Sequence, residues 1–208
     1  MNPAKSLRLR ATLLACLSGA ALAASAAHAQ SVPRIGADST IGNGAADGVT
    51  GALTVNETAG VNNAQLNQIT ISTGNAVAND NASVQSASVA ARVTNARASI
   101  EANAFSNSSG AVLVNQSAGA GNLQRNSTQL GTAALGVETV SDGELSATAP
   151  KNGGPGQSIG VHSVREATIS SDAFKNVNGI VQINQTAGAG NATANSFVLR
   201  PPAGTLFN

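Results

Sequence analysis

Residues 110–126 read Gly-Ala-Val-Leu-Val-Asn-Gln-Ser-Ala-Gly-Ala-Gly-Asn-Leu-Gln-Arg-Asn, and the unit occurs three times. The other copies are residues 51–67 and 179–195, offset by 59 and 69 positions, with no gap inside the unit. In the first half of each copy the side chains alternate with period two. Leu53 and Val55, Val112 and Val114, and Val181 and Ile183 share one face, which the pattern assigns to a core. Asn56 and Thr58, Asn115 and Ser117, and Asn184 and Thr186 fall on the other. Alternation with β-branching predicts a strand. The Ala-Gly-x-(Gly/Asn)-Asn segment follows, with Gly60, Gly119 and Gly188 as the expected turn residues, because a tight arch needs residues that tolerate positive φ. A second strand then places amides two apart: Asn63, Gln65 and Asn67; Asn122, Gln124 and Asn126; Asn191 and Asn195, with Thr193 where the other copies have Gln.

If the copies stack in register, like positions lie about 4.8 Å apart. A primary amide donates and accepts, so Asn or Gln can pair with its own kind indefinitely along such a stack. Stacked like charges repel, and the repeats carry few: Glu57 gives way to Gln116 and Gln185, and Arg125 aligns with Leu66 and Ala194. The bland alternative makes these Asn ordinary turn and surface residues. Turns alone do not require the same amide at strand positions in every copy. The expected fold is all-β: three imperfect strand-arch-strand repeats stacked as a β-solenoid-like (cross-β) unit with flexible linkers.

The repeat reaches back beyond its glycine. Ile41, Ile100 and Ile169 align at the same offsets, and residues 100–105 and 169–174 both run from Ile to Ala-Phe, with Ala46 in place of Phe105 and Phe174 in the first copy. The expected organisation is a signal peptide at residues 1–29, an N-terminal flexible segment at 30–40, repeats at 41–72, 100–130 and 169–199, linkers at 73–99 and 131–168, and a tail at 200–208. Within the linkers, residues 84–93 read as a strand or a short helix, and residues 135–147 alternate as a strand pair would. The segment 151–156, Lys-Asn-Gly-Gly-Pro-Gly, is a loop, and an insertion there accounts for the ten extra residues between copies two and three.

The first 29 residues have a positive start (Lys5, Arg8, Arg10), an apolar run at 11–24 and the small-x-small site Ala27-His28-Ala29. A rival reading makes Cys16 a lipidation site. Removal of the leader leaves 179 residues, 8 basic and 10 acidic side chains and no cysteine. An exported chain without disulfides must be held together by other means. A net charge near −2 with no basic patch makes nucleic acid and anionic membrane poor partners.

The composition limits the core. There is no Trp or Tyr and only four Phe, while Asn alone supplies 21 residues after the leader. Apolar burial stabilises in proportion to area, and this chain has little per residue. Such a sequence is either disordered when alone or packed as a close stack held by backbone hydrogen bonds.

Chemistry-bearing residues are scarce. His162 is the one histidine after the leader, between Val161 and Ser163 in an extended-looking segment, so an enzyme is not expected. Gly119-Ala120-Gly121 and Gly188-Ala189-Gly190 lack the rest of a phosphate loop. Asn79-Asp80-Asn81 is not followed by a calcium-loop pattern. No cofactor, metal or small-molecule substrate is expected. Asn56-Glu57-Thr58, Asn115-Gln116-Ser117 and Asn184-Gln185-Thr186 match the N-glycosylation pattern, which an Asn/Ser/Thr-rich repeat produces by chance.

At Val55-Asn56…Ala59-Gly60-Val61-Asn62-Asn63-Ala64-Gln65-Leu66-Asn67, and at Val114-Asn115…Ala118-Gly119-Ala120-Gly121-Asn122-Leu123-Gln124-Arg125-Asn126, the chain resembles the repeat subunits of the Fap functional amyloid system of bacterial biofilms. Those carry three imperfect repeats behind a signal peptide. They usually end in Cys-x-x-Cys, which this chain lacks. The resemblance implies a secreted fibre subunit that polymerises with itself outside the cell, with a related repeat subunit and an outer-membrane secretion pore as partners. The alternative is a non-polymerising adhesin or surface-binding module on the same stacked fold.

Overall fold

The computed structural model describes residues 33–133, 137–140, 143–148 and 163–200, and every regular element among them is a β-strand. The strands form three successive rungs. The first holds β1 (Arg34–Ile41), β2 (Thr50–Val61), β3 (Ala64–Gly74), β4 (Val77–Asp80) and β5 (Ser83–Ser88). The second holds β6 (Arg92–Ile100), β7 (Ser109–Ala120), β8 (Leu123–Ala133), β9 (Val137–Val140) and β10 (Gly143–Thr148). The third holds β11 (Val164–Ile169), β12 (Asn178–Ala189) and β13 (Ala192–Leu199). Pairing runs between rungs and is parallel throughout, giving the sheets β1-β6-β11, β2-β7-β12 and β3-β8-β13 and the pairs β4-β9 and β5-β10. The second rung lies between the other two. Its register is that of the repeat: Asn115 pairs with both Asn56 and Asn184, and Ile100 with both Ile41 and Ile169.

The corner from β1 to β2, and its counterparts in the other rungs, are stacked as closely as the strands. Phe105 N–H donates to Ala45 O at 2.7 Å and Phe174 N–H to Ala104 O at 2.8 Å. Ala46, Phe105 and Phe174 take the same left-handed conformation, φ 54, 60 and 58°, which explains how alanine replaces phenylalanine in the first copy. The rings of Phe105 and Phe174 stack with centroids 4.9 Å apart. Phe105 is the largest fully buried side chain.

Two unlike interiors separate the three long sheets. Between β1-β6-β11 and β2-β7-β12 the filling is apolar and mostly small. Ala96, Ala98, Ala118 and Ala120 form one cluster, and Ile41, Ile100, Phe105, Val112 and Val114 the other, with Leu53, Val55 and Ile183 partly buried against it. Val181 occupies the same face of β12 but is 38% exposed, because it belongs to an end rung. Between β2-β7-β12 and β3-β8-β13 the filling is mostly amide and hydroxyl, with Leu113 buried on that face of β7.

Two expectations change. Gly60, Gly119 and Gly188 are not turn residues: each is the penultimate residue of its strand or one before the end of the ladder, at φ 111, 123 and 139°. The left-handed residues of the arches stand two places later, at Asn62, Gly121 and Gly190 (φ 52, 65 and 68°). The regions read as a flexible N-terminal segment at 30–40 and as flexible linkers also carry paired strands, β1 beginning at Arg34. Residues 73–99 hold β4, β5 and most of β6, and 131–168 hold β9 and β10 and most of β11, so the helix alternative at 84–93 is replaced by extended chain. Alternating Ser, Ala, Val and Thr suits a pleated surface and not a helix face. The leader at 1–29, the loop at 151–156 and His162 lie outside the described residues.

Candidate functional site

The polar interior is built from two amide columns facing each other across the arch. Asn56, Asn115 and Asn184 come from the first strand of each arch, and Asn67, Asn126 and Asn195 from the second. Along the first column Asn115 Nδ2 donates to Asn56 Oδ1 and Asn184 Nδ2 to Asn115 Oδ1, both at 3.0 Å. Along the second, Asn126 donates to Asn67 at 2.9 Å and Asn195 to Asn126 at 3.0 Å. Within each rung the columns join: Asn67 to Asn56 at 2.9 Å, Asn126 to Asn115 at 3.0 Å, Asn195 to Asn184 at 3.1 Å. Each second-strand amide also donates to the opposite main chain, at Val55 O, Val114 O and Ile183 O. Asn115 and Asn126 have no exposed surface. An amide there replaces every hydrogen bond it would make with water, which is the condition for burying one without penalty. Burial of Asn115 also removes it as a glycan acceptor.

The third column closes the arch. Asn122 Nδ2 donates to Asn63 Oδ1 at 3.0 Å and Asn191 Nδ2 to Asn122 Oδ1 at 2.8 Å. The same oxygens accept the backbone N–H of Asn122 and Asn191. Each Asn thereby ties the rung below to the main chain of the rung above. The Gln column runs the other way: Gln65 Nε2 donates to Gln124 Oε1 at 2.7 Å, and Gln124 Nε2 donates to Thr186 Oγ1 at 3.3 Å in the third rung. It ends at Thr193, whose hydroxyl is buried without a partner.

Gly60 and Gly119 permit the stack at its tightest points. A Cβ on Gly60 would lie 1.8 Å from Gly119 O, and one on Gly119 1.8 Å from Gly188 O. Only a residue without a side chain allows that approach, at a φ that L-residues rarely adopt.

Sequence reasoning missed two features. Gln116 and Gln185 sit on the apolar face and bridge to the first sheet: Gln116 Nε2 donates to Ser99 O at 2.9 Å and Ser39 O at 3.1 Å, and Gln185 Nε2 to Thr168 O at 2.9 Å and Gln116 Oε1 at 2.8 Å. The replacement of Glu57 by Gln in later copies was the available signal. Among the described residues Arg125 is the one charged side chain that is buried, and its guanidinium reaches Asn81 O and Gln68 Oε1. Nothing in the repeat pattern placed β4 and β5 over it.

Among the described residues no group of three His, Cys, Asp or Glu could hold a metal ion. Parallel in-register rungs with buried amide columns define the class: a structural cross-β protein. A family model described as the functional amyloid protein FapB/FapC family matches residues 20–202, and the chain belongs to that family. It is a family of structural amyloid proteins, not of enzymes. No solved structure matches the chain.

Proposed function

We infer that the protein is a secreted subunit that adds to copies of itself, third rung against first, to build an extracellular biofilm fibre. The observation that carries this reading is the continuity of the Asn columns to both ends of the stack. The first and second rungs each accept at Oδ1 from the rung that follows. Asn184, Asn191 and Asn195 therefore present the acceptors that Asn56, Asn63 and Asn67 of a second copy would fill. The strands β1, β2 and β3 at one end and β11, β12 and β13 at the other are edges of parallel sheets. Open edges template further pairing unless charge or bulges blunt them. Membership of a functional-amyloid family supports the reading independently. A related repeat subunit and an outer-membrane pore complete the pathway proposed from the family resemblance.

The test is assembly of the purified protein, followed by thioflavin fluorescence and fibre diffraction. Fibres with a reflection at about 4.8 Å along the axis are expected. The double variant Asn115→Ala/Asn122→Ala is expected to assemble markedly more slowly. A monomer at every concentration would instead favour an adhesin or surface-binding module.

A further inference from the structure

The first rung departs from the other two at one interior position, and that position faces the joint between copies. In the column Glu57, Gln116, Gln185, Gln116 accepts at Oε1 from Gln185 Nε2 of the rung after it, at 2.8 Å. Each also donates to the first sheet, Gln116 to Ser39 O and Ser99 O, Gln185 to Ala98 O and Thr168 O. Glu57 keeps the place but not the chemistry. Its carboxylate accepts from the Ser39 hydroxyl at 3.0 Å and has no N–H to give.

We propose that Glu57 is a gatekeeper of the intermolecular joint, a residue that lets three rungs stack within one chain but slows the addition of a second copy. The proposal rests on the head-to-tail reading above. In that joint, Glu57 of the incoming copy lies over Gln185, whose Oε1 is set to receive a donor. A carboxylate meets an amide oxygen, acceptor against acceptor, where the internal step from Gln116 to Gln185 has a donor. Within the chain the same carboxylate does no harm, because Ser39 supplies its donor from β1 and the first rung is an end rung among the described residues.

The other charged columns do not decide the matter. Asp38, Arg97 and Glu166 alternate in sign within the chain, with Arg97 3.7 Å from Glu166, and the joint would set Glu166 over Asp38. Asp47 and Lys175 stand at equivalent positions of the first and third rungs, and the joint would bring those opposite charges together. The Arg97 and Glu166 side chains are more than half exposed, so solvent screens this column. The two columns also oppose each other. Glu57 lies between two sheets and faces an amide.

The test is seeded elongation of the purified protein, each variant on seeds of its own fibres, followed by light scattering. Glu57→Gln is expected to elongate about tenfold faster than wild type, the factor for one restored hydrogen bond. Glu57→Ala, which removes the charge without adding a donor, should fall between them, and Asp38→Asn should stay near wild type. Circular dichroism of the unassembled proteins checks that the substitutions leave the rungs formed. Fibres whose elongation is unchanged or slowed by Glu57→Gln would overturn the gatekeeper role while leaving self-association standing. Failure of wild type and all variants to form fibres would overturn self-association, and the gatekeeper with it.

Discussion

At the residue scale, the three Asn columns carry most of the specificity, because each amide holds partners in its own rung and in a neighbouring one. Asn115→Ala would remove one of the two donors to Asn56 Oδ1 and strip one acceptor each from Asn126 and Asn184. A buried hydrogen bond contributes about 0.5–1.5 kcal/mol net, and several go together, so the variant should lose about 1–3 kcal/mol in denaturant unfolding. A change below about 0.5 kcal/mol would mean that surface-like behaviour describes Asn115 better. The strand glycines make a graded prediction. Gly119→Ala sets a Cβ against the backbone of Gly188, whereas Gly188→Ala meets the flexible Arg165 side chain at 3.2 Å. Both substitutions strain φ, but Gly119→Ala should be clearly the more destabilising in the same unfolding assay. Thr193→Gln should do the reverse. It offers Gln124 the partner that Gln65 already has in that column, and a stabilisation of about 0.5–1.5 kcal/mol is expected. Loss of stability there would show that the third rung has no room for the longer side chain.

At the element scale, stability should grade from the middle rung outward. β6, β7 and β8 have a strand on each side, whereas the strands of the first and third rungs have one. Amide hydrogen exchange on the unassembled protein should be slowest in β7 and β8, and faster in β2 and β13. Equal protection across the rungs would contradict a stack whose end strands are open. Much of this was legible in the sequence. Period-two alternation gave the strands, an offset held constant along each pair of copies gave the register, and the recurring amides gave the columns, because in a stacked repeat the sequence is itself the pairing table. What was not legible followed from contacts that the repeat does not encode. Gly60, Gly119 and Gly188 read as turn residues because glycine tolerates positive φ in turns, but at Gly60 and Gly119 the demand comes from the backbone of the next rung. β4, β5, β9 and β10 pair at an offset of 60, one more than the repeat's, with little side-chain identity, so no motif announced them. The Gln116 bridge was hidden because its partners are main-chain carbonyls of another sheet, and a backbone carbonyl leaves no mark in composition.

At the scale of the whole molecule, a chain with one stacked phenylalanine pair and many alanines achieves order through repetition. Its apolar interior is thin, so hydrogen bonding across rungs has to supply what a larger core would elsewhere. The same economy leaves both ends of the stack ready to continue, and this is the physical basis for reading the protein as a fibre subunit. The account stands or falls on which residues meet between copies. Fibres grown from an equal mixture of protein labelled with nitrogen-15 and protein labelled with carbon-13 report only intermolecular contacts in solid-state magnetic resonance. Head-to-tail stacking predicts cross-peaks between Asn184 of one copy and Asn56 of another, and between Asn195 and Asn67. Contacts of Asn115 with Asn115 instead, each residue on its own counterpart, would contradict the account.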